Sequence, residues 1–146
     1  MRLRTLSLLS CALLLFPSTG RAECFSQTGK YVMAQKSIEL VFSGTVVEIT
    51  PIGQYFRHRV TFEVDRVWKG SVTKRFDLYV AGLEEGVRSF QMGQWSVVTA
   101  TRVTDRRARQ EFGLGSTSNA AFKAPICSDA LSPEIRAQLG PGYPPK

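Results

Sequence analysis

A single histidine, His58, is the one imidazole in the chain that could serve acid–base chemistry. A Ser-His-Asp triad needs no more than one. His58, however, stands between Arg57 and Arg59 in a strand-like alternation, and no serine occupies a Gly-x-Ser-x-Gly elbow. Two carboxylate pairs, Glu63 with Asp65 and Glu84 with Glu85, have the composition that glycoside hydrolysis uses. The first lies on the polar side of an alternating segment and the second in the loop-like GLEEG, so solvation accounts for both. The distant cysteines Cys24 and Cys127 match no zinc-ligand spacing, and no cofactor fingerprint is present, so neither a metal nor a cofactor is expected. Trp68 and Trp95 carry the amphipathic rings enriched at interfaces, with core packing as the alternative for each. The chain therefore reads as a binding or scaffold module, not an enzyme.

The first 22 residues read as a segment apart. Arg2 and Arg4 precede an apolar stretch from Leu6 to Phe16, and Pro17 to Ala22 ends with small residues at Gly20 and Ala22. This is the layout of a cleaved secretory leader. A spanning helix needs about 20 apolar residues, and this run is too short and ends at Pro17, so no stable membrane anchor is expected. Leu8-Leu9-Ser10-Cys11 faintly resembles a lipoprotein processing site, but the apolar run continues past it. Export to the periplasm or the extracellular space is the expectation.

Export changes both the charge and the cysteine arguments. The net charge of +7 falls to +4 once Arg2, Arg4 and Arg21 leave with a leader that holds no acid. The densest basic run, RVTDRRAR at Arg102 to Arg109, has no interleaved aromatic for base stacking. It reads as an exposed hairpin or loop, and no nucleic-acid partner is expected. Cys11 would be lost with the leader, and two cysteines in an oxidising compartment should pair. A Cys24–Cys127 bond would enclose nearly the whole processed chain, worth about 4.7 kcal/mol for a loop of roughly 100 residues in the chain-entropy account.

The elements that would position these groups are mostly strands. Ile38 to Thr50 (IELVFSGTVVEIT) is dense in β-branched residues and reads as one long strand kinked or bulged at Gly44. Phe56 to Trp68 alternates, with Val60, Phe62 and Val64 on one side and Arg59, Thr61, Glu63 and Asp65 on the other. Lys69-Gly70 ends it, and Phe76, Leu78 and Val80 repeat the two-residue period. Gln94 to Val103 supplies a fourth strand, and Glu111 to Leu114 a fragment of a fifth. A helical turn is expected around Tyr31 to Lys36, and a loop over Gly113 to Asn119. The clearest helix signal is C-terminal: Ser132 as cap, Pro133 in the first turn and Gly140 after the last. Residues 1–22 thus form the leader, 23–140 one domain and 141–146 a proline-rich tail. The expected fold is mainly β, a small OB-like barrel with a short C-terminal helix, with an open β-sandwich as the alternative.

Four segments in order carry a resemblance to a known family: VFSGTVVEI (Val41 to Ile49), VTFEVDRVWKG (Val60 to Gly70), FQMGQWSVVTA with its Phe90-x-x-Gly93, and Cys127 followed by the helix and LGPGYPP. Over most of residues 23–146 the chain resembles the bacterial netrin-like proteins, which are similar to the tissue inhibitors of metalloproteinases (TIMP-like). The resemblance implies an OB-type barrel. In the inhibitors it also implies an N-terminal cysteine whose amino group and carbonyl chelate a protease zinc. Here Cys24 is all that remains of the family's Cys-x-Cys, the other position being Ala22, and the Cys-Gly that would hold its partner reads Glu85-Gly86. The favoured expectation is therefore an exported module binding an extracytoplasmic protein or envelope component. The alternative is inhibition of a zinc metalloprotease through the mature N-terminus, Glu23, Cys24 and Phe25.

Overall fold

The computed structural model describes residues 28–53, 57–80, 90–114, 122–123 and 133–146. Two long strands, β1 (Leu40–Pro51) and β2 (His58–Lys69), form an antiparallel ladder running from Val41 opposite Lys69 to Pro51 opposite His58. β3 (Arg75–Val80) pairs antiparallel with β2, and β4 (Trp95–Arg102) antiparallel with β1. The short β5 (Phe122–Lys123) lies parallel to β3 and antiparallel to β4, closing a five-stranded barrel in the order β1-β2-β3-β5-β4. Closure removes the open-sandwich alternative and gives the mainly β, OB-like barrel expected from the strand pattern.

The period-2 pattern explains the barrel interior. Phe42, Val60, Phe62, Val64, Leu78, Val98 and Ala100 meet inside it. Phe62 makes edge contacts with Phe42 at 5.5 Å and Phe90 at 5.2 Å between centroids. The interior closes tightly because β1 bends: its register with β2 slips between Ser43 and Gly44. A Cβ on Gly44 would lie 2.6 Å from the Glu63 carbonyl oxygen, so this close approach of two backbones requires glycine. One residue departs from the expected alternation. Thr61, placed on the polar side by its spacing, is 2% exposed, and its hydroxyl donates to Asp77 Oδ1 at 2.7 Å.

A second apolar layer lies outside the barrel. Helices α1 (Gly29–Ala34) and α3 (Pro133–Leu139) cover Val41, Trp68 and Val97 with Val32 and Ile135, and Trp95 and Leu139 pack at its margin. This is why adjacent residues Val41 and Phe42, or Val97 and Val98, are all fully buried: β1 and β4 are covered on both faces. Thr28 caps α1 by accepting from Tyr31 N, and Gly29 N donates to Gln138 Oε1 at 2.8 Å. Lys69 Nζ closes the other end of α1, donating to the carbonyls of Met33 and Gln35. Gly140, at φ +79°, ends α3 in the left-handed turn its position predicts.

Three local expectations are corrected. The basic run is neither hairpin nor loop: Asp105 accepts from Ala108 N and starts a helix, α2 (Arg106–Glu111). Glu111 to Leu114 therefore supplies no strand, and the barrel is completed further along the chain at Phe122–Lys123. The first helical turn begins at Gly29, before Tyr31. The proline-rich residues 141–146 are bonded to the barrel, Tyr143 exchanging both backbone hydrogen bonds with Val67 while Lys146 bonds Val72 and Lys74.

Candidate functional site

The groups singled out for chemistry are held apart. His58 begins β2, opposite Pro51 and Val80. Asp65 lies seven residues further along the same strand, a separation of about 23 Å at the usual strand rise. Asp65 is instead engaged by Ser43, whose buried hydroxyl donates to Oδ1. Glu63 is exposed on the outer side of β2, between Thr45 and Arg75 on the neighbouring strands, so the two carboxylates serve different surroundings. Among the described residues no three His, Cys, Asp or Glu side chains converge as a metal site would need. Glu23, Cys24, Phe25, Glu84, Glu85, Cys127 and Ser132 lie outside the described residues.

The two tryptophans part company. Trp68 is 7% exposed in the helix-covered layer, and its indole N–H donates to Gly140 O at 2.9 Å, which fixes it as a core residue. Trp95 is only half-buried, at the edge of that layer. Its indole N–H points to Asp65 Oδ2 at 3.5 Å, and the Arg136 guanidinium of α3 sits 5.1 Å from the ring centroid. Trp95 is thus fastened on two sides while part of its ring stays open to solvent.

Beside it the barrel exposes further apolar side chains. The turn before β4 is bonded to β1 through Gly93 N to Val46 O and Val46 N to Gln94 O, at 2.8 and 2.9 Å. That brings Met92, 61% exposed, towards Val47, 36% exposed and two residues along β1 from the Thr45–Trp95 pair. Val47 faces outward by alternation with the buried Val46, and the register slip between Val46 and Glu48 puts Glu48 on the outer side as well before Ile49 returns to the core. The sequence signal for Met92 was the Phe90-x-x-Gly93 spacing: Phe90 is buried at 7% and Gly93 turns at φ +76°, so the residues between must point away from the core.

A charged lattice continues the surface across β1, β2 and β3. Glu48 accepts from Thr50 Oγ1 at 3.0 Å and from Arg75 Nη2 at 2.8 Å, with Arg59 Nη2 at 3.5 Å. These contacts, the Thr50 hydrogen bond first, hold the Glu48 carboxyl below its ordinary range against a smaller opposing effect of desolvation. Tyr79 is pushed the other way, upward, by burial and by Asp77, and its ring leans on Phe112 at 5.6 Å. Arg57 ties α2 to the barrel by donating to Glu111 O at 2.8 Å. Acids and bases here largely satisfy one another, leaving a surface of mixed charge next to the apolar trio of Val47, Met92 and Trp95.

Searches of family models, of curated proteins and of solved structures returned no match to this chain. What the fold and site define is therefore a class: a small OB-like β-barrel, backed by two short helices on one side and bearing one half-open tryptophan on its outer sheet face. No helix among the described residues is long and apolar enough to cross a membrane.

Proposed function

We propose that the chain is an exported, non-catalytic OB-fold module that recognises a protein partner through the face formed by Val47, Met92 and Trp95. The observation that carries this reading is the state of Trp95: pinned by Asp65 and Arg136, yet half-open beside two exposed apolar side chains. A large ring that is already rigid loses little entropy on binding, and tryptophan, methionine and arginine are the residues enriched where interfaces concentrate their energy. The surrounding mixed charges supply a polar rim.

One further point supports the wider reading. The netrin-like resemblance draws support from the turns at Lys69-Gly70 and Phe90-x-x-Gly93, which fall at the end of β2 and the start of β4, and from the helix that follows Cys127.

Inhibition of a zinc protease is the second reading, favoured by one feature: α1 is bonded through Gly29 to Gln138 of α3, the helix whose Arg136 covers Trp95. The test places a photo-crosslinking residue at Met92 of the mature protein and, as a control, at Arg106. A discrete protein adduct from an envelope extract is expected at 92 alone, lost when Trp95 is replaced by Ala in a variant that keeps its thermal unfolding transition. Equal adducts from both positions would overturn the assignment. Inhibition of a zinc-protease panel by a mature chain beginning at Cys24 would transfer it to the second reading.

A further inference from the structure

The C-terminal residues are built into the barrel at a place where cations gather. Tyr143 pairs with Val67, and its hydroxyl donates to Gly70 O. Lys146 N donates to Val72 O, and Lys74 N donates to Lys146 O. Residues 143–146 thus lie between β2 and the 72–74 segment. Arg66 and Lys74 flank them, both exposed, and Lys146 is exposed at their end. Beyond the Gly70 turn, Lys69 reaches the last carbonyls of α1, next to exposed Lys36.

Of the acids near this end, Glu39 is paired with Arg102 at 3.0 Å, while Asp65, which accepts from Ser43 and Trp95, keeps its negative charge beside Arg66. Glu63 is exposed but faces Arg75 across the ladder. Arg66, Lys74, Lys36 and Lys146 have no carboxylate side-chain partner among the described residues, and Lys69 is bound only to carbonyls. In their midst the Tyr143 ring is 43% exposed.

We propose that this end of the barrel is a peripheral docking surface for an anionic phospholipid bilayer. Charge complementarity selects an anionic partner. The composition favours lipid over nucleic acid: four of the five cations are lysines, which act as point charges without the forked geometry of specific phosphate recognition, and the exposed Tyr143 is suited to the headgroup level.

The experiment is co-sedimentation of the full processed protein with vesicles of phosphatidylcholine alone or with about 30% phosphatidylglycerol, at about 25 and 250 mM NaCl. Binding is expected only to the anionic vesicles, weakening on the order of tenfold or more at the higher salt. Charge reversal at Lys74→Glu with Lys146→Glu should weaken it by about tenfold or more, while Arg106→Glu with Lys123→Glu leaves it unchanged. Thermal unfolding of each pair reports whether the barrel survives. Tyr143→Ser provides a second variant at the same end without altering charge, and should also weaken binding. Absence of binding to anionic vesicles at low salt, equal losses from both charge-reversed pairs, or tighter binding to duplex DNA than to vesicles at matched salt would each overturn the proposal.

Discussion

Replacing Asp65 by Ala removes the acceptor of a hydroxyl that has no contact with water. Ser43 is 0% exposed, and the exposed Asp65 accepts its hydrogen bond. The two single substitutions are therefore unequal. Ser43→Ala deletes the donor and leaves a carboxylate that water can solvate, a net loss of about 1 kcal/mol. Asp65→Ala strands the buried hydroxyl and should cost about 2 kcal/mol, within the roughly 1–3 kcal/mol expected for an unsatisfied buried group. Removing both eliminates the stranded group, so the double variant should return to about 1 kcal/mol, giving a coupling of about 2 kcal/mol. Urea unfolding followed by tryptophan fluorescence measures all three, with an unchanged m-value as the check that only stability moved. Additive costs, or an Asp65→Ala cost no larger than that of Ser43→Ala, would refute this reasoning.

Phe62→Ala opens a cavity among Phe42 and Phe90 and should cost about 3–5 kcal/mol, read from the same urea transition. Trp68→Phe keeps most of the ring but drops the bond to Gly140 O, for a loss of about 0.5–1.5 kcal/mol; no change would show that the bond contributes nothing. The folded-state pKa of Glu48 is depressed, so its contribution is present above the unfolded value and is lost as pH falls through the folded one. Acid unfolding should therefore steepen below about pH 4.3, and Glu48→Gln should flatten that part of the profile.

Much of the barrel was legible because its strands alternate. Val60, Phe62 and Val64 announced β2, Gly44 announced the bend in β1, and Gly140 announced the end of α3. What escaped has physical reasons. A strand of two residues, Phe122–Lys123, is too short to display a period, and its place is set by the neighbours it joins. The cap at Asp105 was hidden in a run whose arginines drew attention to charge. Thr61 looks polar by type, but its hydroxyl is satisfied by Asp77, which lets it be covered. That Glu48 shares the outer side with Val47 depends on a register slip that no local pattern reports, whereas the half-open position of Trp95 was one of the two alternatives its ring allowed.

The late position of β5 and of the Tyr143–Val67 pairing has a consequence for the order of assembly. β3 and β4 acquire their shared neighbour only when residues 122–123 are available, and β2 gains its last partner at residue 143. A ribosome delivering this polypeptide from its front end therefore releases an open ladder, which cannot ring-close until residues 122–123 have emerged. Such end-dependent closure relies on contacts far apart along the chain, which makes folding comparatively slow and keeps the polypeptide pliable during delivery.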